Sequence, residues 1–203
     1  MSYPEAVELR TGGRKVYQRP GGAYQFISGF TIDADGSPRA YHPKGHPPGL
    51  DRLGNAGTPG NWWALATNKK GVPFVQKAGD PAPGYFVSTT SFQNEQYALS
   101  DPRRYLDSEA VNFIVLPQPW RHILTPVVLG CYIEAEHCDG GDTISGVVAD
   151  FGPATHLGEG SIALARALGI NADPIKGGVT EGIVYRVYPG RPAPGYELKP
   201  LRL

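Results

Sequence analysis

The chain has 203 residues and a mass of 21.8 kDa, enough for one globular domain with its own core. Its 19 Lys and Arg balance 19 Asp and Glu, which argues against a bulk nucleic-acid binder or a polybasic membrane anchor. The 27 glycines and 20 prolines lie between runs of Val, Ile, Tyr and Phe, the pattern of short strands joined by turns.

In chain order, residues 1–5 show neither a basic nor an apolar leader region, and no apolar run is long enough to span a membrane. Residues 26–32 read as a strand that runs into the turn chemistry of Asp33-Ala34-Asp35-Gly36-Ser37-Pro38. Residues 42–61, rich in Gly, Pro and His, read as a long loop. Strands are expected over 72–75 and 85–90, then over 111–116, a continuous apolar run suited to burial. Two more are expected over 127–135 and 143–149, joined by the turn 138–142. Residues 159–168 are the one good helix, with Leu164 and Leu168 four apart and Gly169 as its C-terminal cap. A last strand covers 183–188, and the Pro/Gly-rich tail is expected on the surface. This is a mainly β chain, read as a small barrel with one helix and long loops in a single domain, 1–203, in preference to a sandwich, from which strand counting alone does not separate it.

The stretch from Val147 to Ser161 carries the most chemistry. A strand ends at Asp150, a Gly/Pro turn follows, and Glu159 sits where the helix is expected to begin. That places one carboxyl at a strand end and another in a helix's first turn, where the dipole favours its anion. Two carboxyls in contrasting environments are what acid/base cleavage of a glycosidic bond requires. The plainer reading gives Asp150 to the turn and Glu159 to the helix terminus. Asp33 and Asp35 fail the spacing of an EF-hand loop, because Gly36 is fourth and Lys44 twelfth. They read either as an ordinary turn or as carboxylates that bind a cationic sugar or activate water.

Trp62-Trp63 offers a stacking platform for a sugar ring, with one of the two expected in the core, since neighbours on a strand face opposite ways. Tyr41 and Tyr85 carry the same two readings. Prolines around His42 and His46 preclude a helical metal pair, and Cys131, His137 and Cys138 lack an evident fourth ligand. Cys131 and Cys138 read equally as a disulfide or as two thiols. The chain has no P-loop, dinucleotide fingerprint, Gly-x-Ser-x-Gly elbow or His-Glu-x-x-His.

Five segments then occur in a telling order: Asp-Ala-Asp-Gly-Ser-Pro (33–38), Gly-Tyr-Phe-Val-Ser-Thr-Thr-Ser (84–91), Arg104-Tyr105-Leu106-Asp107, Ile114-Val115-Leu116-Pro117, and Asp-Phe-Gly-Pro…Gly-Glu-Gly-Ser-Ile-Ala-Leu-Ala-Arg (150–166). Over residues 26–170 this resembles the chitosanases of glycoside hydrolase family 75. The resemblance implies endo-hydrolysis of β-1,4-linked glucosamine polymers with inversion, no cofactor and no metal. It also implies a secreted protein, expected as a monomer with a polysaccharide partner and no nucleic-acid or membrane partner. The essential Asp and Glu of that family match Asp150 and Glu159. The fold expected by analogy is a six-stranded double-psi-like barrel. On this reading Asp150 is the expected acid and Glu159 the base, with Asp33 or Asp35 as the other candidate base. Tyr41, Trp62 and His156 are expected to touch substrate, and the four carboxyls to line one cleft. Family members carry a secretion signal that this chain does not show, and His156 departs from the family pattern. Either departure fits a different polymer such as peptidoglycan; a non-catalytic carbohydrate-binding barrel is a further alternative, against which the pair Asp150 and Glu159 argues.

Overall fold

The computed structural model describes residues 9–11, 13–120 and 127–199. The leader reading of residues 1–5 lies outside them. Ten strands appear in chain order: β1 (Leu9–Thr11), β2 (Arg14–Gln18), β3 (Tyr24–Asp33), β4 (Gly57–Thr58), β5 (Asn61–Trp62), β6 (Phe113–Pro117), β7 (Cys131–His137), β8 (Ile144–Gly152), β9 (Glu159–Ser161) and β10 (Val179–Pro192). Among the described residues, the short helix α1 (Ile162–Ala167) follows β9 directly.

The main sheet runs β1-β2-β3-β10-β7-β8-β6-β9, and β9 pairs back onto β3. Strands β3, β10, β7, β8, β6 and β9 therefore form a closed six-stranded barrel, which leaves no open edge among them. Pairings β3–β9 and β6–β8 are parallel and the others antiparallel, so the expected small six-stranded barrel is present. Closure depends on Gly160. A Cβ there would stand 2.8 Å from the Phe30 ring and 2.9 Å from the Phe113 carbonyl oxygen, so only glycine lets β9 lie between β3 and β6.

The barrel core holds Phe26, Phe30, Phe113, Leu116, Ile133, Val148, Leu164 and Tyr185. Phe26 stacks on Tyr185 at 4.8 Å between ring centroids and meets Trp120 edge-on at 5.8 Å. The buried Tyr185 hydroxyl donates to the Gly29 carbonyl at 2.7 Å, so its burial leaves no polar orphan. A satellite cluster of Ala66, Val87 and Tyr105, backed by Phe74, packs within the long connection from β3 to β6.

Several expectations need correction. Residues 72–75 and 85–90 are not strands; they meet only in isolated bridges, Thr67 with Pro73, Val75 with Phe86, and Leu65 with Ser88. Pro73 brings no N–H to a ladder, and Phe86 spends its own on the Tyr41 carbonyl. The helix is shorter than expected, because residues 159–161 form β9. Its N-cap is Ser161, whose Oγ accepts from the Leu164 N–H at 3.1 Å, while Gly169 does follow its C-terminus with φ +71°. Cys131 and Cys138 form no disulfide. Cys131 opens the seven-residue strand β7 and Cys138 directly follows its end, so their Cα atoms lie roughly 20 Å apart, far beyond bonding reach.

Candidate active site

Asp150 owes its direction to a bulge. In the parallel β6–β8 pair, Ile114 faces Val148 but Val115 faces Asp150, so β8 carries one extra residue, Ala149. An unbulged strand would set Ala149 against Val115 and turn Asp150 to the opposite face. On the other side of β6, Val115 pairs with Glu159 of β9. Asp150 and Glu159 thus flank Val115 on one face of the sheet, two strand spacings or about 10 Å apart at Cα.

Asp33 ends β3, level with Ser161 of β9, and Asp35 follows in a tight turn. The Asp35 N–H donates to Asp33 Oδ1 at 2.8 Å, an Asx turn. Gly36 continues it at φ +82°, where a Cβ would fall on the Leu106 carbonyl oxygen. The turn packs so closely against the segment around Leu106 that no other residue fits. The buried Tyr41 hydroxyl donates to Asp35 Oδ1 at 2.6 Å.

All four carboxyls line one cavity of about 620 Å³, with Val115, Phe151, Pro153, Ser91 and Trp63 among its walls. Neutral donors and acceptors from Asn55, Thr89, Thr90, Gln93 and Gln118 complete it, and no Lys or Arg lies among the described lining residues. The convergence expected for Asp33, Asp35, Asp150 and Glu159 is present. Carboxylate oxygens of Asp33, Asp35 and Asp150 lie within 4.8 Å of one another, close enough to share one hard cation or a substrate ammonium group. Cys131, His137 and Cys138 form no such group; His137 Nε2 is hydrogen-bonded to the Leu168 carbonyl at 2.8 Å.

The environments differ sharply. Burial pushes the Glu159 carboxyl up to about 7, and the nearby Asp150 charge adds to the shift. Burial also raises Asp33 well above the usual carboxyl range, reinforced by Asp35, Glu159 and Asp150. Asp35 is raised by burial, against the opposing Tyr41 hydrogen bond. Asp150 Oδ1 accepts from the Ser91 hydroxyl and from the Phe151 N–H, the latter at 2.7 Å. Ser91 reaches it because the next residue, Phe92, donates its N–H to the carbonyl of bulge residue Ala149 at 2.8 Å.

Three expected contact residues are placed elsewhere. Tyr41 is buried behind the cavity and supports Asp35; it is not a stacking surface. Trp62 packs against the core, and its neighbour Trp63 takes the exposed position. His156 lines a separate hollow of about 550 Å³ with Arg14 and Thr31, because the loop 153–158 turns Pro153 to one side and residues 155–158 to the other. The expectation that a helix dipole holds Glu159 as an anion also fails, since Glu159 lies on a strand and burial favours its protonated form. Ser91 was not marked as functional from sequence. Its only signal was its place in the 84–91 segment. No family model and no curated protein sequence matches the chain.

Proposed function

We propose that this protein is an endo-acting glycoside hydrolase that cleaves β-1,4-linked glucosamine polymers with inversion and without a metal. The observation that carries the reading is the pair Asp150 and Glu159 flanking Val115 in a cavity with two further acids and no Lys or Arg among its described lining residues. Inverting enzymes separate their two carboxyls by about 6.5–9.5 Å to seat a water. The Cα atoms of Asp150 and Glu159 stand about 10 Å apart across Val115, on the order of that separation.

The environments exchange the roles expected from sequence. Glu159, protonated up to about pH 7, is the acid that gives its proton to the leaving glycosidic oxygen. Asp150, fixed by Ser91 and the Phe151 N–H, is the base that takes a proton from water as that water attacks the anomeric carbon. The glycosidic C–O bond breaks, the product leaves with the opposite anomeric configuration, and solvent exchange returns both carboxyls to their starting states. The amino sugar's ammonium group favours the ionised forms of the raised Asp33 and Asp35 carboxyls, which release their protons as it binds and hold it against the pair. An acidic cavity suits a polycation better than peptidoglycan, which carries carboxylates of its own. The same reading makes the protein a secreted monomer that acts on polysaccharide.

The test is reducing-end release from highly deacetylated chitosan in the presence of a chelator. The wild type releases ends, and Glu159→Gln and Asp150→Asn each lose at least about a hundredfold. A wild type active only on peptidoglycan glycan, or one that binds polymer and releases nothing, contradicts the proposal.

A further inference from the structure

Seven large apolar side chains are exposed among the described residues: Tyr17, Ile27, Trp63, Val72, Val75, Leu99 and Val179. Isolated exposed apolar groups are ordinary on a protein surface. Trp63 differs in place and in restraint. It is the most exposed of them at 61%, and it alone lines the carboxylate cavity.

Its orientation is fixed from two sides. The Trp63 backbone N–H donates to the Ala56 carbonyl at 3.1 Å, and the indole N–H donates to the Asn55 carbonyl at 2.8 Å. Both acceptors belong to one 3-10 turn, Leu53–Ala56. That turn is clamped by the buried Asp51, which accepts from the Asn55 side-chain amide at 2.9 Å and from the Arg52 N–H at 2.7 Å. The ring is thus presented to the cavity with its polar edge already satisfied, and little ordering remains for a ligand to impose.

We infer that Trp63 is a stacking subsite for one pyranose ring of a β-1,4-linked amino sugar at the rim of the carboxylate cavity, with the Asp51–Asn55 turn as its mount. A β-1,4-linked glucosamine ring has every substituent equatorial, so its two faces are C–H surfaces that match an indole plane in size and polarity. Its ammonium group adds attraction to the ring face. The four carboxyls lie in the same cavity and set the charge of the ligand. The identity of the sugar rests on the glucosamine-polymer reading; the platform itself rests on the fixed, exposed ring.

The experiment is a titration of Glu159→Gln protein, which leaves polymer intact, with a glucosamine hexamer. Tryptophan emission and calorimetry are read together. Saturable binding with a blue shift of the emission is expected. Trp63→Ala in the same background abolishes the shift and weakens binding about tenfold, while Trp63→Phe retains an intermediate affinity. Trp62→Phe, altered against the core, leaves the affinity unchanged. Equal affinity in the Trp63→Ala protein, or no hexamer binding at all, overturns the subsite. Trp63-dependent binding by a protein whose wild type cleaves nothing upholds the subsite and overturns the hydrolase. Cleavage that ignores Trp63 does the reverse.

Discussion

Ser91 shows how the site works one residue at a time. Its hydroxyl donates to Asp150 Oδ1, so it both aims the carboxylate and supports its charge. Removing a hydrogen bond to a charged group costs about 1.5–3 kcal/mol, or roughly ten- to a hundredfold in rate where that charge does chemistry. Ser91→Ala is therefore expected to lower kcat by that factor with KM little changed. The acid limb of the pH–rate profile moves to higher pH, and Ser91→Thr restores part of the loss. The alkaline limb belongs to Glu159: activity falls as pH rises through about 7, and Ser91→Ala does not move that limb. An alkaline limb that shifts while the acid limb stays would give the hydrogen bond to the wrong carboxyl.

At the scale of elements, three features build the site: the bulge at Ala149, the short strand β9 and the Asx turn after β3. Strand β9 is three residues long, yet it joins β3 to β6 and carries Glu159. Gly160→Ala forces a methyl group against Phe30 and the Phe113 carbonyl, and a drop in stability of about 1–3 kcal/mol is expected in denaturant melts, with activity lost alongside it. Unchanged stability would show that β9 does not close the barrel tightly. The strands β3, β6, β7, β8 and β10 were legible as apolar runs, and so was the convergence of the acids on one cleft. Most of what escaped reading was set by tertiary pairing. Residues 162–168 have helical composition, but Gly160 is a poor helix former and Ser161 a preferred N-cap, so a helix start at 159 is too early, and 159–161 pair with β3 and β6 instead. The bulge leaves no compositional mark, so the face of Asp150 could not be read. Alternation predicted that one of Trp62 and Trp63 faces inward, but which one depends on the Leu53–Ala56 turn.

Across the whole molecule, charge and stability are linked through the cavity. The folded-state carboxyls of Glu159, Asp33 and Asp35 are all raised. A raised carboxyl keeps its proton in the folded state after the unfolded chain has lost it, so its contribution is full below the ordinary carboxyl range. It is lost as pH rises through the folded-state value. For Glu159 that window runs from 4.5 to about 7 and corresponds to about 3 kcal/mol. Glu136, lowered to about 2 by Arg186 and Thr143, has the opposite sign and is lost as pH falls from 4.5 toward about 2. Thermal melts are therefore expected to show a higher Tm near pH 5 than near pH 8, and Glu159→Gln to narrow that gap by stabilising the protein at pH 8. A Tm that rises steadily from pH 5 to 8 would contradict the buried-acid picture. The claim that binds residues, elements and charge together is that Glu159 and Asp150 act from opposite sides of a β-1,4 glucosamine linkage. Its most direct test is proton NMR of the first anomer released from a glucosamine hexamer: the α-anomer is expected to appear first and to mutarotate afterwards. A β-anomer appearing first, or no product at all, would contradict it.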